Sequence, residues 1–175
     1  VLKELPEKIE QQIIVDMTIE QKKLYLAYLQ AIKGEIEEEI NISGFNRSQI
    51  KILAGLTRLR QICCHPGMFV EDYSAGSGKL DSLEEILVDA IESGHRILLF
   101  SQFTSMLQLI KEMLGKNKIE YMYLDGSTDV KERGKLVKEF NGGKGDVFLI
   151  SLRAGGTGLN LTGADMVIHF DPWWN

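Results

Sequence analysis

At 175 residues, the chain is long enough for one globular domain, or for one domain with a small appendage. Hydrophobic residues make up 44% of it and charged residues 26%, which is ordinary for a folded protein, and no apolar run reaches the ~18 residues that a membrane span requires. The net charge of −5 argues against a protein coated in basic residues, although a local groove can still hold nucleic acid.

The first part of the chain carries helical patterns. After an extended lead-in segment, Thr18 and Gln21 have the spacing of a capping box, which predicts a helix from there to about residue 40. A short break follows, and apolar spacing predicts a second helix over 46–63. These two helices predict a helical hairpin, and Pro and Gly punctuate the connector 65–78.

From Lys79 onward, helical and strand-like patterns alternate. Predicted helices separate short β-branched and apolar runs, and these runs lie at 97–100, 121–124, 147–150 and 166–170. Alternation of this kind predicts an α/β fold, in which a parallel sheet carries helices on both faces and the crossovers are right-handed.

A glycine-rich stretch, Arg153 to Asn160, follows the third predicted strand. Glycine lets another molecule approach the backbone closely, and successive N–H groups can bind an anion. The pattern matches neither GxGxxG nor GxxxxGK[ST], so it supports neither dinucleotide binding nor a stand-alone P-loop. A tight structural turn is the alternative, but the place at the carboxyl end of a strand favours binding.

Two other strand ends carry polar side chains that suit a phosphate. Ser101 and Gln102 follow the first predicted strand at a helix N-terminus, where plain N-capping is the favoured reading of the two residues alone. Asp125 opens a turn ahead of Arg133, and a lone arginine of this kind is more often a structural salt-bridge partner than a phosphate ligand.

The aromatic pair Trp173 and Trp174 lies in the stretch DPWWN, after Asp171 and Pro172. Core or interface packing is the commoner fate of such side chains, and contact with a base or sugar is the alternative.

Metal and hydrolase chemistry find little support. Cys63, Cys64 and His65 are consecutive and have no second Cys/His pair to complete a zinc site. Two cysteines also cannot form a disulfide framework, which favours a reducing compartment. No Ser/His/Asp or paired-carboxylate arrangement stands out, so no metal ligand and no catalytic residue is predicted.

Together these stretches resemble one family. ILLFSQFTSML, YLDGST with the following Arg133 and Phe140, and SLRAGGTGLNLTGADMVIHFDPWWN are similar to the second motor-lobe motifs of SWI/SNF-type, superfamily-two, helicase-like DNA translocases. LRQICCHP resembles the end of the helical insertion that precedes this lobe. The resemblance covers essentially the whole chain, and GG-x-GLNL with DPWWN separates this family from RNA helicases.

The resemblance implies a RecA-like lobe that faces a first lobe of the same protein across an ATP cleft. It also implies ATP-driven tracking along double-stranded DNA, with ATP and Mg²⁺ held by the full-length protein and not tightly by this chain alone. The residues it implies for DNA contact are Ser101, Gln102, Arg133, Ser151, Arg153, Gly155 and Trp174. Gly158 and Asn160 would approach the ATP ribose.

The same resemblance implies a division of the chain. Residues 1–17 would lead in from the first lobe, 18–78 would form the helical insertion and connector, and 79–175 would form an incomplete second lobe. The family's phosphate-binding loop and Mg²⁺ motif belong to the first lobe, and its arginine fingers, which contribute ~10³–10⁵ in rate, are expected just after Asn175. We therefore expect a fragment that is truncated at its C-terminus and inactive alone.

Two other functions remain open at this point. One is a non-hydrolytic module that binds nucleic acid or a partner protein. The other is a small Rossmann-like enzyme, which ranks lower because no phosphate fingerprint lies near the first strand. The short insertion and DPWWN favour a prokaryotic source, which predicts a cytoplasmic, nucleoid-associated protein; a eukaryotic member would be nuclear.

Overall fold

A computed structural model describes residues 8–156 and 158–172. Its helices are α1 (Ile19–Ser43), α2 (Phe45–Cys64), α3 (Gly78–Glu92), α4 (Thr104–Lys116), α5 (Val130–Asn141) and α6 (Leu152–Gly155). Its strands are β1 (Ile97–Ser101), β2 (Tyr121–Leu124), β3 (Val147–Ser151) and β4 (Met166–His169), and a 3₁₀ turn covers Pro66–Met68. No helix in these ranges is both long and apolar enough to cross a membrane.

The described strands form one sheet in the order β2-β3-β1-β4, with every neighbouring pair parallel. Ile97 at the start of β1 lies opposite both Val147 and Met166. The parallel sheet predicted from the alternating pattern is confirmed. Because the strands are parallel, all of them end at the same edge, which we call the carboxyl edge.

Helices cover both faces of the sheet, as predicted. On one face, Leu99 and Leu149 pack with buried residues of α3 and α4, such as Leu107. On the other face, Leu98 and Phe148 pack with α5 and α6. Central strands buried on both faces read as continuous apolar runs, and every residue of β3 is buried.

The helical hairpin is joined to the sheet domain through Gln21. The Thr18 Oγ1 accepts from the Gln21 N–H at 3.2 Å, and the Gln21 Oε1 accepts from the Thr18 N–H at 3.1 Å, so the predicted capping box is present. The same fully buried side chain donates to the Ile62 carbonyl at 2.9 Å and accepts from the Gly78 N–H at 3.0 Å. One residue therefore connects the starts of α1 and α3 to the end of α2.

Two local expectations differ from the structure. The break predicted at residues 41–44 is a single residue, Gly44, because its φ of +77° reverses the chain while its N–H still bonds to the Ile40 carbonyl at 2.9 Å. The predicted glycine turn after β3 begins as one helical turn, α6, rather than as open backbone.

Candidate nucleic-acid and nucleotide site at the carboxyl edge

The carboxyl edge places Ser101 and Ser151 opposite each other on neighbouring strands. Both are buried, with 0% and 3% of their surface exposed. The Ser101 Oγ accepts from the Phe103 N–H at 3.1 Å, and the Ser151 Oγ caps α6 by accepting from the Ala154 N–H at 3.3 Å. This geometry favours a role for both hydroxyls in shaping the backbone, and a direct DNA contact stays a prediction.

Gln102 lies where α2, β1 and the end of β4 meet. Its backbone N–H donates to the Asp171 Oδ2 at 3.0 Å, and its Oε1 accepts from the Arg60 Nη1 at 3.4 Å. The Arg60 Nη2 also donates to the Pro172 carbonyl at 2.8 Å. The segment that leaves β1 and the segment that leaves β4 are thus held together by one guanidinium from the hairpin.

Asp171 is a buried carboxyl group at this junction, with 3% of its surface exposed. Burial raises its pKa above the ordinary value, and hydrogen bonding from Ser101 and Gln102 opposes the rise. A buried carboxylate needs partners to stay in place. Asp171 therefore fixes the chain after β4 to the chain after β1, immediately ahead of the two tryptophans.

The glycine stretch presents Arg153 at the surface. Arg153 lies in the middle of α6 and is exposed. A Cβ on Gly155 would lie 2.8 Å from the Phe100 Cε1, so a glycine there lets α6 pack directly on the ring. The Gly156 N–H bonds back to the Leu152 carbonyl at 3.3 Å, which removes one amide from the expected anion-binding run.

Gly158 and Asn160 lie on the far side of this stretch, and both are exposed. Gly158 has a φ of +70°, and apart from its own atoms and its chain neighbours no described atom lies within 4 Å of where its Cβ would be. An exposed glycine backbone and an asparagine amide are hydrogen-bonding groups that suit ribose hydroxyls. These two residues therefore fit a nucleotide sugar, and the contact itself stays a prediction.

The Arg133 guanidinium donates hydrogen bonds to the loop that precedes its own helix. Its Nε donates to the Thr128 carbonyl at 3.0 Å and its Nη2 to the Asp125 carbonyl at 3.4 Å. The Asp125 carboxylate accepts from the Ser127 Oγ at 2.6 Å and from the Tyr123 hydroxyl at 2.7 Å, which lowers its pKa. The loop after β2 is thereby ordered from both sides, and the DNA contact of Arg133 stays a prediction.

The sequence predicts no metal ligand, no catalytic residue and a DNA contact at Trp174. Within residues 8–156 and 158–172, no group of three His, Cys, Asp or Glu side chains could hold a metal ion. Burial raises the pKa of the Cys64 thiol to about 12, so this cysteine is an inert core group. Trp174 lies outside the described residues.

The sequence analysis missed residues that support the predicted site residues through hydrogen bonds. Arg60 and Asp171 organise the carboxyl edge, and Asn141 donates from its Nδ2 to the Asn160 carbonyl at 2.9 Å. Arg60 lies in LRQICCHP and Asp171 in DPWWN, the very stretches that carry the resemblance. Their presence there was a usable signal, but their partners are distant in sequence.

Comparison with known proteins identifies two family models. The helicase conserved C-terminal domain matches residues 78–175, and the SNF2-related domain matches residues 1–68. An uncharacterised ATP-dependent helicase of Mycoplasma pneumoniae is 38% identical over 176 residues, which cover 100% of this chain and 16% of the relative. The chain spans less than a fifth of the length of this relative and of other curated relatives, between 12% and 19% of each.

Solved structures agree with this relationship. The SWI2/SNF2 ATPase C-terminal domain of Sulfolobus solfataricus superposes with a TM-score of 0.85 at 32% identity, covering 97% of this chain and 74% of that one. The SWI2/SNF2 ATPase core of the same organism in complex with double-stranded DNA gives 0.85 at 33% identity, covering 100% of this chain and 37% of that one. With a RecA-like sheet, the motifs at its carboxyl edge and these matches, the chain belongs to the SNF2 family of ATP-dependent helicase-like translocases and corresponds to the C-terminal lobe.

Proposed function

We propose that this chain acts as the C-terminal motor lobe of an ATP-dependent double-stranded-DNA translocase or remodeller. In this role it supplies contacts to the DNA backbone and one wall of the ATP cleft. The observation that carries the proposal is the convergence of the motifs after β1, β3 and β4 on one edge of the sheet, in a chain that superposes on an SNF2 ATPase core bound to double-stranded DNA.

The DNA side of the proposal depends on Arg153 and the ordered strand ends around it. Arg153 is an exposed cation on a helical turn that Ser151 caps and Gly155 seats against Phe100. An exposed guanidinium on an ordered helical turn suits a phosphate oxygen. Ser101 and Gln102 shape the neighbouring segment, so the backbone of a tracked strand would meet preformed structure.

The nucleotide side depends on Gly158 and Asn160. Both are exposed and carry groups that suit a ribose, while ATP bound in the cleft would supply the phosphoryl group that is transferred. Because the family's Mg²⁺ motif belongs to the first lobe, we assign Mg²⁺ to that lobe. We further propose that the chain pairs with that lobe in the same polypeptide and does not hydrolyse ATP alone.

The proposed division keeps 1–17 as the lead-in, 18–78 as the insertion and connector, and 79–175 as the motor lobe. We propose that the compartment of the protein depends on its source. In a prokaryote it would be the cytoplasm, in association with the nucleoid, and in a eukaryote it would be the nucleus.

The test compares Arg153→Ala with Lys116→Ala in the full-length motor. Lys116 is an exposed cation at the end of α4 away from the carboxyl edge, so it controls for loss of charge. Arg153→Ala is expected to reduce DNA-stimulated ATP hydrolysis and to lower the slope of log affinity against log salt by about 1, because one phosphate contact is lost. DNA-independent hydrolysis should change little, and equal losses with and without DNA contradict the DNA assignment.

A second test addresses activity in isolation. The purified chain alone is expected to show no ATP hydrolysis, with or without duplex DNA. Hydrolysis that co-purifies with the chain through stringent chromatography, and that disappears on Asn160→Ala, contradicts the proposal that the first lobe is required.

A further inference from the structure

Asn141, the last residue of α5, holds both ends of a short segment after the glycine stretch. Its Nδ2 donates to the Asn160 carbonyl at 2.9 Å, and its Oδ1 accepts from the Gly163 N–H at 2.9 Å. One amide side chain therefore closes residues 160–163 into a loop, using its donor at one end and its acceptor at the other.

The far end of this loop rests on a rigid base. The Arg96 Nη1 donates to the Gly163 carbonyl at 2.7 Å, and the guanidinium lies 4.1 Å from the centre of the Phe140 ring. Its Nε and Nη2 bond the carbonyls of Gly145 and Lys144 at 3.2 and 3.0 Å. A cation fixed to three backbone carbonyls and an aromatic face has little freedom to move.

The contact at Gly163 is also close. A Cβ there would lie 2.9 Å from the Asn141 Cα and 3.0 Å from the Phe140 carbonyl oxygen. The loop thus packs directly on the backbone at the end of α5, and Phe140 itself is fully buried in the core. The position of the loop is set by the helix.

The near end of the loop is open by contrast. Asn160 and Gly158 are exposed, while the Asn160 carbonyl is the atom that Asn141 binds. Fixing a residue's backbone carbonyl restricts the directions in which its side chain can point. The Asn141 donor therefore restrains the backbone of Asn160, and through it the rotamers open to the Asn160 amide.

We propose that Asn141 is a positioning residue for the nucleotide, which orders residues 160–163 so that Asn160 is already in place when ATP binds. This inference rests on the proposed nucleotide role of Asn160. Preorganisation of a binding group lowers the entropy lost on binding, so Asn141 acts on the affinity for ATP rather than on phosphoryl transfer.

The test measures the KM for ATP, kcat with saturating DNA, and the nucleotide-free Kd for duplex DNA in the full-length motor. Asn141→Ala is expected to raise the KM about three- to tenfold, the effect of losing a neutral hydrogen bond, with kcat and the Kd near wild type. Asn117→Ala is the matched control. Asn117 follows α4 and donates to the Met113 carbonyl at 3.0 Å, so it braces a helix end in a similar way.

Asn141→Asp separates hydrogen bonding from shape. Aspartate keeps the acceptor for the Gly163 N–H but places a carboxylate oxygen against the Asn160 carbonyl, so its KM should rise at least as much as that of Asn141→Ala. A wild-type KM in the aspartate variant overturns the proposal, since it would mean that shape alone suffices.

Hydrogen exchange supplies a readout that needs no ATP. In the nucleotide-free motor, a peptide spanning residues 158–165 should exchange faster in Asn141→Ala than in wild type, while Asn117→Ala leaves it unchanged. If Asn141→Ala leaves the exchange unchanged, the positioning role is overturned. The same holds if Asn160→Ala raises the KM for ATP and Asn141→Ala does not, and either result leaves the proposed function intact. An unchanged KM in Asn160→Ala removes the nucleotide role itself.

Discussion

The guanidinium of Arg60 donates to the carbonyl oxygen of Pro172 over 2.8 Å, although 112 residues separate them in the chain. Its other terminal nitrogen lies 3.4 Å from the Gln102 Oε1. A residue of the helical hairpin is thereby joined to both segments that leave the carboxyl edge on β1 and β4. These segments carry the motifs proposed to meet DNA, so the hairpin helps to shape the edge that we propose faces DNA.

Replacing Arg60 tests this connection. Arg60→Lys is expected to behave much like Arg60→Ala, because one ammonium on a flexible stem does not reproduce a fork that bonds in two directions. Both variants should lower the free energy of unfolding by about 1–3 kcal/mol and weaken the affinity of the full-length motor for duplex DNA. Urea unfolding and DNA titration measure the two effects.

Arg47→Ala is the control for this prediction, because Arg47 is an exposed arginine near the start of the same helix. It should change neither quantity by more than about 0.5 kcal/mol. Wild-type stability and DNA affinity in Arg60→Lys contradict the bridging role.

Two glycines near α5 are expected to respond in opposite directions to alanine. A Cβ on Gly163 would approach the Arg96 Nη1 and the Asn141 Cα to 2.9 Å, so Gly163→Ala should lower the free energy of unfolding by about 1–3 kcal/mol. Gly134 lies inside α5, and apart from its chain neighbours and the adjacent helix backbone no described atom lies within 4 Å of its Cβ position, so Gly134→Ala should raise the free energy by about 0.4–1 kcal/mol. Denaturant unfolding distinguishes the two, and a stabilised Gly163→Ala contradicts the close packing of the loop.

How far the sequence predicted the fold depends on how local each signal is. The helix–strand alternation placed the strands to within a residue, because a parallel sheet buried on both faces requires apolar runs of this length. The Thr18 capping box was equally readable, since both partners lie within one helical turn. The buried role of Gln21 could not be read from the sequence, because its other partners, Ile62 and Gly78, are far away in the chain.

For the candidate site, too, local signals were readable and contacts between distant residues were not. The strand pattern placed Ser101 and Arg153 at or just after strand ends, and the resemblance implied Ser151; the parallel sheet brings Ser101 and Ser151 opposite each other at the carboxyl edge, with Arg153 in the helical turn that follows. Spacing could not reveal that both serines are buried and that their hydroxyls accept from backbone N–H groups, because burial depends on packing from helices elsewhere in the chain. Asn141 was missed for a similar reason, since a lone asparagine at a helix end usually bonds within its own turn.

Asp171 predicts a pH dependence of stability. Its pKa is raised in the folded chain by burial, so the folded state holds its proton to higher pH than the unfolded state does. The stabilising contribution is complete below the unfolded pKa of about 3.9 and is lost as pH rises through the folded pKa. Asp171→Asn keeps an acceptor for the Gln102 N–H without the charge, so its free energy of unfolding relative to wild type should increase between about pH 4 and pH 7.

Urea unfolding of both proteins across this range measures the difference. A difference, variant minus wild type, that falls with rising pH contradicts a raised pKa at Asp171, because it would mean that the folded state stabilises the carboxylate.

The hydroxyl group of Tyr123 is expected to resist ionisation. Burial raises its pKa to about 12, helped by the Asp125 carboxylate that accepts its hydroxyl at 2.7 Å. The chain has five tyrosines, and an ordinary one titrates near 10. At about pH 11, between these values, folded Tyr123→Phe should give the same tyrosinate absorbance per molecule as folded wild type, because Tyr123 remains a phenol there. In concentrated urea the wild type should exceed the variant by the absorbance of one tyrosinate. A difference of that size already present in the folded proteins contradicts the raised pKa of Tyr123.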